Sequence, residues 1–158
     1  MIRLATGDDQ NAIIGLIDSV LREYDDQVCL DGADSDLLNI PVNYFAQGGS
    51  FWVLEIDDAI VGSHATLPDP VTPGTCRFRR LYLDPHLRGT RWGHELMQVT
   101  IDWARQSGFE RVHFWSDTRF ARAHRFFEKF GFRRDGRQRA MTDGYQPYQE
   151  FYFFLELA

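Results

Sequence analysis

The chain has 158 residues, 44% of them apolar and 15% aromatic, with thirteen phenylalanines; this excludes a disordered or fibrous protein and is enough for one domain with a buried core. A net charge of −6 argues against a nucleic-acid partner. Two cysteines, Cys29 and Cys76, are too few for a disulfide scaffold, no run of about 18 apolar residues offers a membrane span, and the first residues carry no apolar signal region, so a soluble, cytoplasmic protein is expected.

In chain order, residues 2–5 read as a short strand. Residues 7–24 read as a helix, with acids at its start and Ile13, Ile14, Ile17, Val20 and Leu21 at helical spacing. Residues 34–49 suggest one or two short helices, broken near Pro41 and closed by Gly48 and Gly49. Residues 50–67 form two apolar runs around the acidic pair Asp57 and Asp58, a hairpin, and residues 75–84 supply a third strand. Residues 89–109 are the strongest helix: Trp92, Leu96, Val99 and Trp103 make a stripe that Met97, Ile101 and Ala104 widen. A strand at 111–117, an amphipathic helix at 118–132 ending at Gly131, and closing strands up to 148–157 complete an α/β order whose β-α-β segment places a crossover helix on the sheet.

Charge is segregated along the chain. Acids gather at Asp25, Asp26, Asp31, Asp34 and Asp36; arginines gather at Arg77, Arg79, Arg80, Arg88 and Arg91 and again from Arg119 to Arg139. That pattern suggests an anionic ligand in the middle of the chain and a cationic partner at its front. The stretch from Asp84 to Gln98, DPHLRGTRWGHELMQ, is a glycine-bearing turn running into a helix. A helix start exposes unpaired N–H groups and partial positive charge, so the stretch is either an anion cradle or a plain turn with solvated arginines.

Its surroundings favour the cradle. RGTRWG, Arg88 to Gly93, resembles the acetyl-coenzyme A signature [R/Q]-x-x-G-x-[G/A] of the GNAT acetyltransferase superfamily, with Arg88 and Gly93 at the ends. RRLYLDP before it is similar to that family's fourth strand, and Ala123, Gly131 and Phe132 match its late-helix pattern A-x-x-x-Y-x-x-x-G-F. The resemblance implies a mixed, mostly antiparallel, twisted sheet of six to seven strands flanked by about four helices. Acceptor-side helices would fall at about 8–48, the cofactor-binding core at about 51–132 and C-terminal strands at about 133–157. It implies acetyl transfer from acetyl-coenzyme A to a primary amine of a small molecule or peptide by direct attack. Backbone of Leu81, Tyr82 and Leu83 would align the thioester and pantetheine arm, with an N–H near Leu83 stabilising the oxyanion. Backbone N–H groups of Arg88, Gly89, Thr90, Arg91, Trp92, Gly93 and His94 would hold the pyrophosphate, while Ala123, Phe126 and Phe127 would wall the pantetheine. Asp25, Asp26 and Asp31 would attract a cationic acceptor; the alternative is a solvated loop in which Asp34 or Ser35 caps the next helix.

Three positions depart from the pattern. Arg91 stands where the family has a glycine, Phe127 where it has the tyrosine assigned to protonating the thiolate, and Arg77 where many members carry a glutamate base. No carboxylate lies from Thr75 to Leu83. His64, Tyr82 and Tyr145 are the remaining candidates for proton transfer, but a partly buried, hydrogen-bonded strand histidine and packing tyrosines are the favoured reading of these residues. The other reading is a catalytically weak acyl-coenzyme A sensor or partner-recognition module. His86, His113 and His124 share no ligand spacing, so no metal is expected. The aromatic C-terminal strand also offers an edge through which two copies could form a homodimer.

Overall fold

A computed structural model describes residues 1–157. Seven strands form one sheet: β1 (Ile2–Leu4), β2 (Ser50–Ile56), β3 (Ala59–Pro68), β4 (Thr75–Leu83), β5 (Arg111–Asp117), β6 (Gln138–Met141) and β7 (Tyr148–Glu156). Their order is β1-β2-β3-β4-β5-β7-β6, and every neighbouring pair is antiparallel except β4 with β5. Four α-helices flank the sheet: α1 (Gln10–Arg22), α2 (Ile40–Asn43), α3 (Trp92–Gln106) and α4 (Ala121–Phe130). Among the described residues no helix is long and apolar enough to cross a membrane.

The helix predicted over 7–24 opens with a 3₁₀ turn, Gly7–Asp9. The Asp9 carboxylate accepts from the Thr6 N–H at 2.8 Å, closing a capping box, and takes a bidentate Arg3 at 2.8 and 2.9 Å. The helix predicted over 89–109 is shorter at its start, because Gly89 (φ +80) and the residues after it are used as a turn. Its buried face is Leu96, Met97, Thr100, Ile101 and Ala104; Trp92, Val99 and Trp103 lie to one side, so the predicted stripe is rotated. Gly131 (φ +114) ends α4 in a Schellman arrangement: its N–H bonds to Glu128 O at 3.1 Å and the Phe132 N–H to Phe127 O at 3.0 Å. Phe132 thereby turns back to pack on Phe127.

Two apolar layers cover opposite faces. On one, α1, α2 and the intervening turns pack Ile13, Ile17, Leu37, Ile40 and Tyr44 on Phe51, Val53 and Ala65. On the other, α3 and α4 pack Met97, Ile101, Ala104 and Phe127 on Phe78, Val112, Phe114 and Phe153. The β2–β3 turn places Asp57 and Asp58 at φ +51 and +62, the primed hairpin geometry.

β4 carries the feature that shapes the site. Ser63 pairs with Tyr82 but Ala65 pairs with Arg79, so two β4 residues oppose His64. At this bulge Arg80 adopts φ +61, unusual for a side chain with a Cβ, and its carbonyl accepts from Ser63 Oγ at 2.8 Å. The Arg80 guanidinium is buried. It donates to Asp34 at 2.7 Å, to both Asp36 oxygens and to Ala33 O at 3.0 Å. Tyr44 Oη also donates to Asp36. Burial alone would raise the Asp36 carboxyl, but the charges of Arg80 and Arg79 outweigh it and hold the group below the usual carboxylate range.

Removing Arg80 would leave the buried Asp34 carboxylate without its cation and Asp36 with only Arg79, 3.6 Å away. Arg80→Ala is expected to cost about 3–5 kcal/mol in urea unfolding at pH 7; a cost below about 1 kcal/mol, the range of an exposed pair, would contradict the assignment. Asp9 and Asp36 both have depressed folded-state values, Asp9 through the Arg3 hydrogen bond. Their stabilisation is therefore complete above the ordinary carboxyl value of 3.8 and lost as pH falls below it. Thermal midpoints measured from pH 6 down to 2 should drop mainly in that acid range.

Candidate active site

β4 and β5 pair only from Thr75–Arg77 to Arg111–His113 and then part. The β4 edge from Phe78 to Leu83 that faces β5 carries no ladder partner, which leaves backbone groups to take up a strand-like ligand. The opening is a cleft between the parted strands, walled by Phe78, Leu81 and Tyr82 on one side and Phe114, Ser116 and Asp117 on the other. Ala123 and Phe127 of α4 close one face; Asp26, Asp34, Tyr145, Tyr148 and Glu150 ring the other.

At one end, β4 runs into the signature turn. Asp84 Oδ1 accepts from the His86 N–H at 2.9 Å, and a 3₁₀ turn over Pro85–Leu87 leads to Gly89. Arg91 has φ −64 and ψ −17, ordinary right-handed geometry, so the backbone requires no glycine there; the positive φ sits two residues earlier, at Gly89. The N–H groups of Gly89, Arg91, Gly93 and His94 have no intrachain acceptor among the described residues, whereas those of Arg88 and Thr90 bond to Pro85 O and Leu87 O, and Trp92 N–H bonds weakly to Thr90 Oγ1 at 3.5 Å. A Cβ on Gly93 would stand 3.9 Å from the Phe126 ring, ordinary contact, which accounts for a signature that accepts Gly or Ala. The Arg88 guanidinium is engaged by Glu23, the residue that caps the C-terminus of α1, bidentate at 2.7 Å, and ties the turn to the first helix. Arg91 is exposed and stacks on Trp92 at 4.8 Å; His94 is exposed and packs on Phe130.

Phe127 is buried among Phe114, Phe132 and Phe153, with its ring also facing the cleft. Phe126 instead packs on Phe130 beside Gly93. His64 lines the cleft floor but is fully buried, with Nδ1 2.8 Å from Thr100 Oγ1 and 3.2 Å from Leu96 O. Burial pushes its imidazole down to about 4, so it is neutral and structural at neutral pH. Tyr82 is half-buried against the α1 layer, and burial raises its phenol. Tyr145 is exposed at the mouth. Arg77 faces Leu67 and His113 in the ladders, half-buried, its value lowered by burial.

Of the three acids expected to draw a cationic acceptor, only Asp26 reaches the cleft, and it bonds Arg119 at 2.8 Å. Asp25 sits exposed in the turn after α1, at φ +55, and Asp31 is an exposed loop residue accepting from Cys29 Sγ. The segregated charges largely satisfy one another: Arg80 takes Asp34 and Asp36, Arg119 takes Asp26 and Asp117, and Arg88 takes Glu23.

Several cleft residues were not singled out by sequence reasoning. Glu150 of β7 stands opposite Asp117 of β5, and its value is raised by burial against the opposing pull of Arg139. Arg139 reaches Glu150 at Oε1, at 2.7 and 2.8 Å, and stacks over the Trp115 ring at 4.3 Å. Ser116 Oγ lies 3.1 Å from His124 Nε2. Tyr148, by contrast, is a residue the sequence offers with Tyr145 as a loop side chain; it instead opens β7, its Oη donates to Asp143 at 2.8 Å, and burial raises its phenol. One signal was available: alternation along 111–117 puts Ser116 on the face of Val112 and Phe114, toward α4. Nothing local indicates that Glu150 shares that cleft, because its position depends on the β5–β7 register.

The Acetyltransferase (GNAT) family model matches residues 16–132, well over half of the chain. Probable N-acetyltransferase camello of Xenopus tropicalis is 31% identical over 100 residues, 63% of this chain but 46% of that protein, so the chain spans just under half of that relative's length. Uncharacterized N-acetyltransferase YjgM of Escherichia coli K12 is 26% identical over 137 residues, covering 84% of this chain and 81% of that one. Among solved structures, a GNAT-family acetyltransferase from Staphylococcus aureus Mu50 superposes with a TM-score of 0.86 at 20% identity, over 100% of this chain and 99% of its own. The Salmonella typhimurium protein yncA, solved with its cofactor acetyl-CoA, superposes with a TM-score of 0.77 at 19% identity, over 100% and 94%. With its parted β4–β5 pair, its signature turn and these matches, the chain belongs to the GNAT acetyltransferase family.

Proposed function

We propose that this protein transfers the acetyl group of acetyl-coenzyme A to a primary amine of a small molecule or peptide. The observation that carries the reading is the unpaired β4 edge running directly into a turn with four free N–H groups. A strand-like pantetheine along Leu81–Leu83 would leave its pyrophosphate at Gly89–His94. The relative yncA was solved with acetyl-CoA, and this chain shares its fold. Arg91 adds a cation beside the cradle without straining it.

At the end of the arm away from the cradle, toward Leu81, the thioester carbonyl would meet the acceptor amine, with a backbone N–H of β4 as oxyanion donor. An amine of pKa near 10 arrives protonated and must lose a proton before attack. Glu150 is the cleft carboxylate best suited to take it: its affinity for a proton is raised, and Oε2 is not engaged by Arg139. Its charge and those of Asp26, Asp34 and Asp117 are largely balanced by neighbouring arginines. The acceptor end therefore favours an amine of modest charge over a polycation.

Purified protein should release coenzyme A thiol with members of an amine panel between pH 7 and 9. Glu150→Gln should lower kcat/KM by about 10²-fold or more while leaving acetyl-coenzyme A affinity in place. Acetyl-coenzyme A binding without thiol release from any amine would instead favour a sensor that keeps the cradle, a role suggested by Phe127 and by the absence of a carboxylate on β4. Arg91→Gly should leave thermal stability nearly unchanged, since Arg91 is the N-cap of α3, a position that tolerates glycine, and weaken acetyl-coenzyme A several-fold in a calorimetric titration.

A further inference from the structure

Acyl transfer to an amine has a second proton to manage once the ammonium has become an amine. When nitrogen bonds to the acetyl carbon it becomes cationic and must shed a proton, while the sulfur leaving as thiolate must gain one. Phe127 has no proton to give. One turn earlier on α4, His124 reaches the cleft wall through β5: its Nε2 lies 3.1 Å from Ser116 Oγ. Ser116 lines the cleft, on the half of β5 that has parted from β4, while His124 is buried behind it against Phe127, Phe151 and Phe153.

We propose that Ser116 and His124 form a proton shuttle that carries the proton from the attacking nitrogen to the departing sulfur. This rests on the acyl-transfer reading above. As the N–C bond forms, the nitrogen proton passes to Ser116 Oγ and the hydroxyl proton passes to His124 Nε2, giving an imidazolium. As the C–S bond breaks, the imidazolium returns its proton through Ser116 Oγ to the sulfur. The products are the amide and coenzyme A thiol, and both side chains end as they began.

The surroundings suit that cycle. Burial first, and then Arg134, lower the His124 value, so the resting imidazole is neutral and can accept. A backbone hydrogen bond to Asp117, with the Asp117 and Glu128 carboxylates, pulls the other way and favours the imidazolium during the reaction. In the tautomer that carries its proton on Nδ1, Nε2 offers its lone pair to the Ser116 hydroxyl. Asp117 is itself fixed by Arg119, whose backbone N–H and guanidinium both donate to it.

The test is steady-state thiol release by wild type, Ser116→Ala, His124→Gln, Phe127→Tyr and the Ser116→Ala/Phe127→Tyr pair, with acetyl-coenzyme A affinity measured for each. Ser116→Ala should lower kcat by about 10²–10⁴-fold with acetyl-coenzyme A binding unchanged. His124→Gln should lower it similarly, and the two losses should not add. Phe127→Tyr should restore much of the rate in the Ser116→Ala background, because a hydroxyl at the family's usual position supplies the proton directly; a merely structural serine would not be rescued this way. If His124→Gln fails to fold, the serine variant and its rescue still decide. An active wild type whose Ser116→Ala variant turns over equally fast would overturn the shuttle alone. A wild type that binds acetyl-coenzyme A but releases no thiol would overturn the acyl-transfer reading and the shuttle together.

Discussion

The buried guanidinium of Arg80 is the interaction on which the site depends. A charged side chain with little solvent contact is tolerated only when its donors are matched, and Asp34, Asp36 and the Ala33 carbonyl match them. The backbone cost of φ +61, of order 1–3 kcal/mol for a side chain with a Cβ, is offset by the same contacts. One residue thus serves two purposes. Its backbone makes the bulge on the stretch of β4 that has parted from β5, and its side chain pins the loop after α1 to the mouth of the cleft between them. The acceptor side and the cofactor side are joined at this point.

The same logic explains the charge pattern. Acids in the first third and arginines in the middle read as the two halves of an external recognition surface. In the fold they meet each other: Arg80, Arg88 and Arg119 each join the α1 region to the second half of the chain. Ion pairs between distant segments neutralise most of the charge around the cleft, while Arg91 stays exposed beside the cradle and Glu150 keeps Oε2 outside its hydrogen bond to Arg139. A net charge of −6 is therefore a poor guide to the local field in the cleft.

How much was legible follows from whether a signal is local. The strands, α1, α3 and α4 were visible because alternation and helical spacing persist over many residues. The family pattern at Arg88–Gly93 and Ala123–Phe132 located the cradle and the cleft wall. The bulge was not legible, since RFRRLY reads as an unbroken strand and nothing in it marks one arginine for positive φ. The concern over a missing glycine at Arg91 also needed the backbone: the left-handed residue is Gly89, and Arg91 is helical. Asp25 and Asp31 share a segment with Asp26 but not its location, because the turn after α1 points only Asp26 inward. Ser116, His124 and Glu150 come from three elements whose meeting depends on the register of β5 with β7 and on α4 packing, both of them non-local.

The most direct test of the account is a calorimetric titration of the full chain with acetyl-coenzyme A at low and moderate salt. Binding with one-to-one stoichiometry that weakens as salt rises is expected, because exposed N–H groups and Arg91 would hold the phosphates in solvent-screened contact. No heat and no thermal stabilisation at millimolar ligand would contradict the account: the parted strands and the turn would then be inherited architecture without an acyl carrier.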